Sequence, residues 1–232
     1  MSKLTRTKEQ VSSYDKNAYE RPSVTVDVAV CTYFDSNLHI LLVKRTETPF
    51  NGYWAIPGGF VDVDKRELLE ETAIRKLYEE TSLRSIQVEQ LKTYGDPDRD
   101  PRMRVITVAY FALVPYNSML DSVRNNTLLR WFPICKIPRD CAFDHKQIIN
   151  DLLTRLQGRI SYSPIAFKLL ESKFTWCELQ CIYETILDKK LLTPNFRRKI
   201  NSMYQIIELD ETQKSGGRPS RLLMFNGEKS FE

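Results

Sequence analysis

Gly58-Gly59-Phe60-Val61-Asp62 is followed, after a polar stretch, by Arg75-Lys76-Leu77-Tyr78-Glu79-Glu80-Thr81-Ser82-Leu83. Two adjacent glycines let a backbone turn tightly and approach a ligand closely. Beyond them Leu69, Ala73 and Leu77 recur every fourth residue, an apolar stripe that predicts a helix over about 67–81. The last turn of that helix carries Glu79 and Glu80 towards whatever the glycine loop holds. Loop and acids together read as a device for handling a pyrophosphate.

This resembles the Nudix box, whose consensus runs glycine, five residues, glutamate, seven residues, then Arg-Glu-hydrophobic-X-Glu-Glu-X-Gly-hydrophobic. Glu67, seven intervening residues and Arg75 fit the middle of that pattern. Three features depart from it. The gap from Gly59 to Glu67 is two residues too long, Lys76 stands where the first glutamate of the Arg-Glu pair belongs, and Ser82 replaces the last glycine. In the hydrolases the resemblance points to, a cluster of glutamates holds divalent metals that neutralise the diphosphate and activate water. On a helix Lys76 lies one turn from Glu80 and Arg75 one turn from Glu79, so each acid has a cation within reach. The expectation is a domain that binds without hydrolysing, requires no cofactor and has no catalytic residues.

A pocket without metals must still neutralise a diphosphate. Arg45, Arg75 and the arginines of Asp96-Pro-Asp-Arg-Asp-Pro-Arg102, namely Arg99 and Arg102, are the candidates, because guanidinium forks match phosphate oxygens. Asp98 and Asp100 can accept hydrogen bonds from ribose hydroxyls. Trp54, Phe60 or Tyr94 can stack a base. With Gly58, Gly59, Glu79 and Glu80 these form the candidate effector site.

Outward from the box, Val24, Val26, Val28 and Val30 alternate with Thr25, Asp27 and Ala29, which is strand periodicity. Residues 39–45 read as a second strand, with Asp35-Ser-Asn37 as a hairpin turn. Strands are also expected at 105–114 and 129–132, and a helix over 142–156. Mixed strands with helices on either side make an α/β domain over 21–157, after an N-terminal arm of residues 1–20. The stretch Gln157-Gly-Arg-Ile-Ser-Tyr-Ser-Pro164 reads as the domain boundary.

The remaining segment, 163–227, reads as three helices and a β-hairpin, the α+β winged helix-turn-helix arrangement. Thr175-Trp-Cys-Glu178 is a capping box. Thr193 with Pro194 is expected to open the third helix. Phe196, Ile200 and Met203 share one face of that helix, leaving Asn195, Arg198, Lys199 and Ser202 outward. Lys190, Thr193, Asn195, Arg197, Arg198, Lys199 and Ser202, with Arg218 and Arg221 on the wing, are the candidate contacts to double-stranded DNA. Asn195 and Arg198 suit base edges, and the other cations suit phosphates.

The runs Phe174-Thr-Trp-Cys-Glu-Leu-Gln-Cys-Ile-Tyr-Glu, Asn195-Phe-Arg-Arg-Lys and Gly216-Gly-Arg-Pro-Ser-Arg-Leu resemble the C-terminal domain of NrtR-type transcriptional regulators. With the altered Nudix box, the likeness extends over about 20–226. It implies a Nudix-like mixed-sheet sandwich that senses ADP-ribose or a related metabolite, followed by the winged domain. It further implies a homodimer that binds operator DNA and represses genes of NAD metabolism. Two alternatives stay open: an active ADP-ribose pyrophosphatase, and an arabinose-sensing regulator on the same scaffold.

Composition agrees with a globular chain. Of 232 residues, 42% are hydrophobic and 28% charged, and the net charge of +4 permits an anionic partner. No apolar run suits a membrane span, and the N-terminus lacks an apolar signal core. Five cysteines without a CxxC pair favour reduced thiols and a cytoplasmic location. Cys141 and His145 share a one-turn spacing. Only two histidines in the chain, against zinc's need of four convergent ligands, argue against a metal site.

Overall fold

The computed structural model describes Asp15, residues 18–117, Val123 and residues 126–213 and 219–229. Arg218 and nearly all of the proposed N-terminal arm therefore lie outside the described residues. Strand β1 (Ser23–Phe34) turns through Asp35 and Ser36, both at positive φ, into β2 (Asn37–Lys44). That is the geometry a two-residue hairpin requires. The short strands β3 (Trp54–Ala55) and β4 (Gly58–Phe60) lead into helix α1 (Leu69–Thr81). Then come β5 (Glu89–Tyr94), β6 (Val105–Leu113), β7 (Leu129–Pro133) and helix α2 (His145–Arg159). The sequence pattern gives no sign of β3, β4 or β5, which are short or lack alternation.

The central sheet runs β3-β2-β1-β6-β5, with β4 also on β1 and β7 also on β2. It is mixed: β1 pairs in parallel with β6 and antiparallel with β2 and β4. Helices cover both faces. Val26, Val28 and Val30 of β1 pack with Ala73 and Leu77 of α1. Ala29 and Cys31 point the other way, into a core with Ile148, Ile149 and Leu152 of α2. Alternation along one strand thus supplies two apolar faces.

Helix α2 starts at His145, three residues later than the pattern suggests, and continues through Gln157 and Gly158, the start of the expected boundary. A 3-10 helix (Pro164–Leu169) stands where the first helix of the C-terminal segment was expected. Helix α3 (Trp176–Leu187) has the expected capping box: Glu178 N–H donates to Thr175 Oγ1 at 3.2 Å, and Thr175 N–H donates to Glu178 Oε2 at 2.7 Å. Helix α4 (Thr193–Met203) is capped at Leu192, so Thr193 is its first residue and not its cap. The hairpin of β8 (Tyr204–Gln213) and β9 (Ser220–Glu228) completes the winged helix, with Leu223 bridged to Phe174. Ile148 and Leu156 of α2 belong to the same apolar core as Leu179, Ile182, Phe196, Ile200 and Leu223. The two units share packing and are not strung on a loose linker.

Gly58 shows how tightly the loop is pressed to the sheet. A Cβ there would lie 2.3 Å from the Val26 carbonyl oxygen and 2.4 Å from Asp27 Oδ1. Gly58→Ala should lower stability by about 2 kcal/mol or more through overpacking, read as a lower midpoint in urea unfolding. An unchanged midpoint would mean that the loop stands off β1.

Candidate functional site

A cleft of about 540 Å³ opens where β1, β2, the Ile56–Phe60 loop, the end of α1 and the 99–105 segment converge. Among the sequence candidates, Arg45, Gly58, Gly59, Phe60, Glu79, Glu80, Arg99, Asp100 and Arg102 line it. Four do not. Trp54 packs edge-on against Phe132, with Lys44 over its ring. Tyr94 is buried and donates to Asp151 of α2 at 2.9 Å. Asp98 is exposed on the turn outside the cleft. Arg75 spans Glu67, at 2.7 Å, and Glu79, at 2.8 Å, bracing the helix flank.

The cleft also holds residues the sequence does not single out, chiefly Asp27, Phe143 and His145. Asp27 carries the one available signal, a lone charge in an otherwise uncharged strand. It is buried and accepts a hydrogen bond from the Thr107 hydroxyl at 2.6 Å. The Arg99 guanidinium lies 3.6 Å from the same Oδ2 oxygen and donates twice to Asp144, at 2.9 and 2.7 Å. His145 Nδ1 accepts the Ile56 backbone N–H at 2.8 Å, and its Nε2 faces Asp27 Oδ1 at 3.6 Å. Burial lowers the His145 pKa, and the Nδ1 acceptor role fixes the neutral tautomer with its proton on Nε2. The Cys141/His145 pair thus follows no shared helix face: Cys141 precedes α2, and His145 is committed to Ile56.

Three arginines give the cleft its positive side. Arg45 sits over the Phe143 ring at 4.9 Å and donates to the Pro49 carbonyl at 3.0 Å. Burial first, and then the nearby Arg102 cation, lower its pKa, so an anion placed between the two would relieve both. Arg102 lies over the Phe60 ring at 5.3 Å and forks onto Asp100 at 3.0 and 2.8 Å.

The acids of the box have separate partners. Lys76 does not reach Glu80. Its stem lies across Gly59, where a Cβ would come within 3.1 Å, and its ammonium donates to Glu79 at 3.0 Å. Arg75 and then Lys76 hold the Glu79 carboxyl below its usual range. Glu80 turns inward. Burial raises its pKa to about 7, against the Gly58 backbone N–H, which favours the charged form, and Asp27 adds to the rise. With Glu79 held by two cations and Glu80 partly protonated near neutrality, the donor set fits a divalent cation poorly. Among the described residues, no group of three or more His, Cys, Asp or Glu side chains could hold a metal ion.

On the winged helix, Phe196 and Ile200 are buried, while Asn195, Arg197, Arg198, Lys199 and Ser202 are exposed on the outer side of α4. Arg197 covers the Trp176 ring at 5.3 Å, and Arg198 contacts Asn195 Oδ1 at 3.4 Å. Two expected phosphate contacts are engaged internally: Lys190 donates to Glu184 at 2.7 Å and Arg221 to Glu208 at 3.1 Å. The Arg221 pair is exposed on both sides and so weak, whereas Glu184 is largely covered and also accepts from Gln180 and the Leu191 N–H. Among the described residues no helix is long and apolar enough to cross a membrane.

Comparison with known proteins matches residues 24–152 to the NUDIX domain and residues 166–225 to the NrtR DNA-binding winged helix domain. The chain belongs to the NrtR family. The "ADPR responsive transcriptional repressor NtrR" of Acinetobacter baylyi is 35% identical over 93% of this chain and 86% of its own. Shewanella oneidensis NrtR, in a crystal structure with a 27mer DNA, superposes with a TM-score of 0.79 at 35% identity, covering 88% of this chain and 93% of that one. The NUDIX domain of the same protein, crystallised with ADP ribose, matches with a TM-score of 0.56 at 37% identity, over 67% of this chain and 99% of that one. Membership accounts for the order of the two units, an altered Nudix box followed by a winged helix with a basic outer face.

Glu80 gives the site a pH signature. Its folded-state pKa of about 7 lies above the ordinary 4.5, so its contribution to stability is fully present below pH 4.5 and is lost as pH rises through 7. Glu80→Gln should therefore gain on the wild type by roughly 2 kcal/mol between pH 5 and pH 8.5. Urea unfolding of both proteins at both pH values checks this, and an equal difference at the two would refute it.

Proposed function

We propose that this chain is an ADP-ribose-responsive repressor of transcription, acting in the cytoplasm as a homodimer. Its targets would lie among genes of NAD metabolism. The observation that carries this reading is one core joining an arginine-lined cleft to a winged helix with an exposed basic helix. Arg45 and Arg102 line the cleft with Gly58 and Gly59, suiting a diphosphate held by guanidinium and amide donors, and Arg99, held by Asp144, would add its charge from the wall. Phe60 and Phe143 offer faces to a base. Asp100 retains lone pairs for a ribose hydroxyl beyond those given to Arg102. The NtrR and NrtR relatives, one named for its response to ADPR and the other crystallised with ADP ribose, support the choice of ligand.

On the winged helix, α4 enters the major groove, where Asn195 and Arg198 leave their weak mutual contact for base edges. Lys190, Arg197, Lys199, Ser202 and Arg221 serve the phosphates, with Thr193 at the helix start. Arg218 completes the wing in this reading.

Binding without hydrolysis is the second part of the proposal. Lys76 lies over Gly59 and pairs with Glu79, so an ammonium stands where the box carries a carboxylate and the neighbouring acid is neutralised. Glu79 and Glu80 both remain at the cleft, which keeps a pyrophosphatase as the competing reading.

Titration calorimetry with ADP-ribose should show binding in the absence of metal, and no heat at millimolar ligand would remove the effector assignment. With magnesium or manganese added, turnover should stay far below about one per second, an ordinary enzyme rate. Turnover near that rate, abolished by Glu79→Gln, would establish the pyrophosphatase instead. Arg198→Ala should weaken binding to a selected duplex by about 1–3 kcal/mol and relax its base preference. A loss that is uniform over all sequences would make Arg198 a phosphate contact.

A further inference from the structure

Helix α2 touches both functional regions. Its N-terminal residue, His145, lines the effector cleft, and Asp144 just before it holds Arg99. In its C-terminal half, Leu153 and Gln157 line a second cleft, together with Cys181 and Thr185 of α3, Asp188 just after it and Tyr33 of the β1–β2 hairpin. Leu156 and the following Ile160 are buried in the core shared with the winged helix. Fifteen residues make a rod about 22 Å long.

The N-terminal end is bound to the loop that faces the ligand. Trp54 N–H donates to the Asp140 carbonyl at 2.9 Å, and Ala142 N–H donates to the Trp54 carbonyl at 2.8 Å. Ile56 N–H donates to His145 Nδ1 at 2.8 Å, only two residues before Gly58. The Arg99 fork on Asp144 ties in the other ligand-facing segment, the one that carries Asp100 and Arg102. Both walls of the cleft therefore end on the first turn of one helix. Along its length α2 is also pinned to β5, through Asp151 to Tyr94 and Lys92, Arg155 to the Leu91 carbonyl and Arg159 to Glu89. These lie along the sheet edge, part-buried or exposed, where a small slide costs less than breaking the buried His145–Ile56 bond.

We propose that α2 is the element through which the cleft acts on the winged helix, with His145 as the positioning residue that ties the glycine loop to it. This rests on the reading of the cleft as an effector site. A ligand that draws the Gly58–Gly59 backbone towards its phosphates pulls Ile56, and His145 passes the displacement to α2. The helix shifts Leu153, Leu156 and Gln157 against α3, changing how α4 is presented. Packed helices respond to such displacements by sliding as units. Ligand and DNA affinities are then coupled by one free energy, felt equally at both sites.

The test measures that coupling. A duplex selected from random-sequence DNA on the full-length chain is titrated by fluorescence anisotropy, with and without saturating ADP-ribose. In the wild type the affinity should change by about 5- to 150-fold. In His145→Phe, which offers no acceptor to Ile56 N–H, the change should fall to within about twofold of unity, measured at the ADP-ribose concentration that saturates this variant. His145→Gln, which restores an acceptor, should recover part of it. Leu153→Ala, two turns along the helix and outside the effector cleft, should also lose the coupling while binding ADP-ribose as the wild type does. It decides the matter if His145→Phe fails to fold. A folded His145→Phe or Leu153→Ala that keeps the wild-type ratio would overturn the α2 route. No ligand effect in the wild type would instead overturn the effector reading on which the route rests.

Discussion

A carboxylate buried in the middle of a sheet constrains much of this molecule. Asp27 sits on β1 between two apolar neighbours, with almost no access to water. An uncompensated charge there would cost several kcal/mol, so partners must come to it from elsewhere in the chain. Thr107 reaches across from β6, Arg99 from the 96–102 turn and His145 from the start of α2. Gly58 lies so close to Asp27 that no side chain is possible there. Satisfying one acid thus brings together the pieces that form the floor and walls of the cleft. The rest of the site inherits its geometry from that arrangement.

The same buried charge shapes the chemistry. Burial, with a smaller addition from Asp27, makes a second carboxylate, Glu80, reluctant to ionise, while Glu79 is drawn out to Arg75 and Lys76. A hydrolase needs those acids charged and converging on metal. Here one is partly neutral and the other is held by cations, and of the arginines in the cleft Arg99 is paired with Asp144 and Arg102 with Asp100, while Arg45 makes its hydrogen bond to the Pro49 carbonyl.

The sequence makes the scaffold legible where one period dominates. The valine alternation of β1, the Thr175–Glu178 box of α3 and the inward Phe196 and Ile200 of α4 appear as the sequence predicts, and Ala73 and Leu77 of the α1 stripe are buried while Leu69, at its start, is exposed. The short strands β3 and β4 escape notice, since two or three residues hold no period and their pairing is set by the glycine loop. Side-chain partners are less legible than elements. Lys76 lies at the right spacing for Glu80 yet takes Glu79, because Glu80 turns towards the Gly58 amide and leaves the helix surface. Arg75 has the right chemistry for a phosphate but is spent on Glu67 and Glu79. His145 and Asp27 carry no linear motif, and their meeting depends on the crossover that lays α2 over β1.

The continuity of the core explains why a cleft on the Nudix side can matter to a helix on the other. Had the segment at 157–163 been a flexible linker, a displacement at the cleft would be lost in its conformational freedom, and ligand occupancy would leave the DNA-binding surface unchanged. Instead α2 runs through Gln157 and Gly158, and Ile160 follows it into the shared core. Close-packed side chains transmit displacement because they have no voids in which to absorb it. The Tyr33 hydroxyl meets Thr185 and Cys181 of α3 beside that junction, giving the β1–β2 hairpin a second hold on the winged helix. The winged helix is thus held to the Nudix unit at two places, the packed C-terminal half of α2 and the β1–β2 hairpin, and its orientation is set by both.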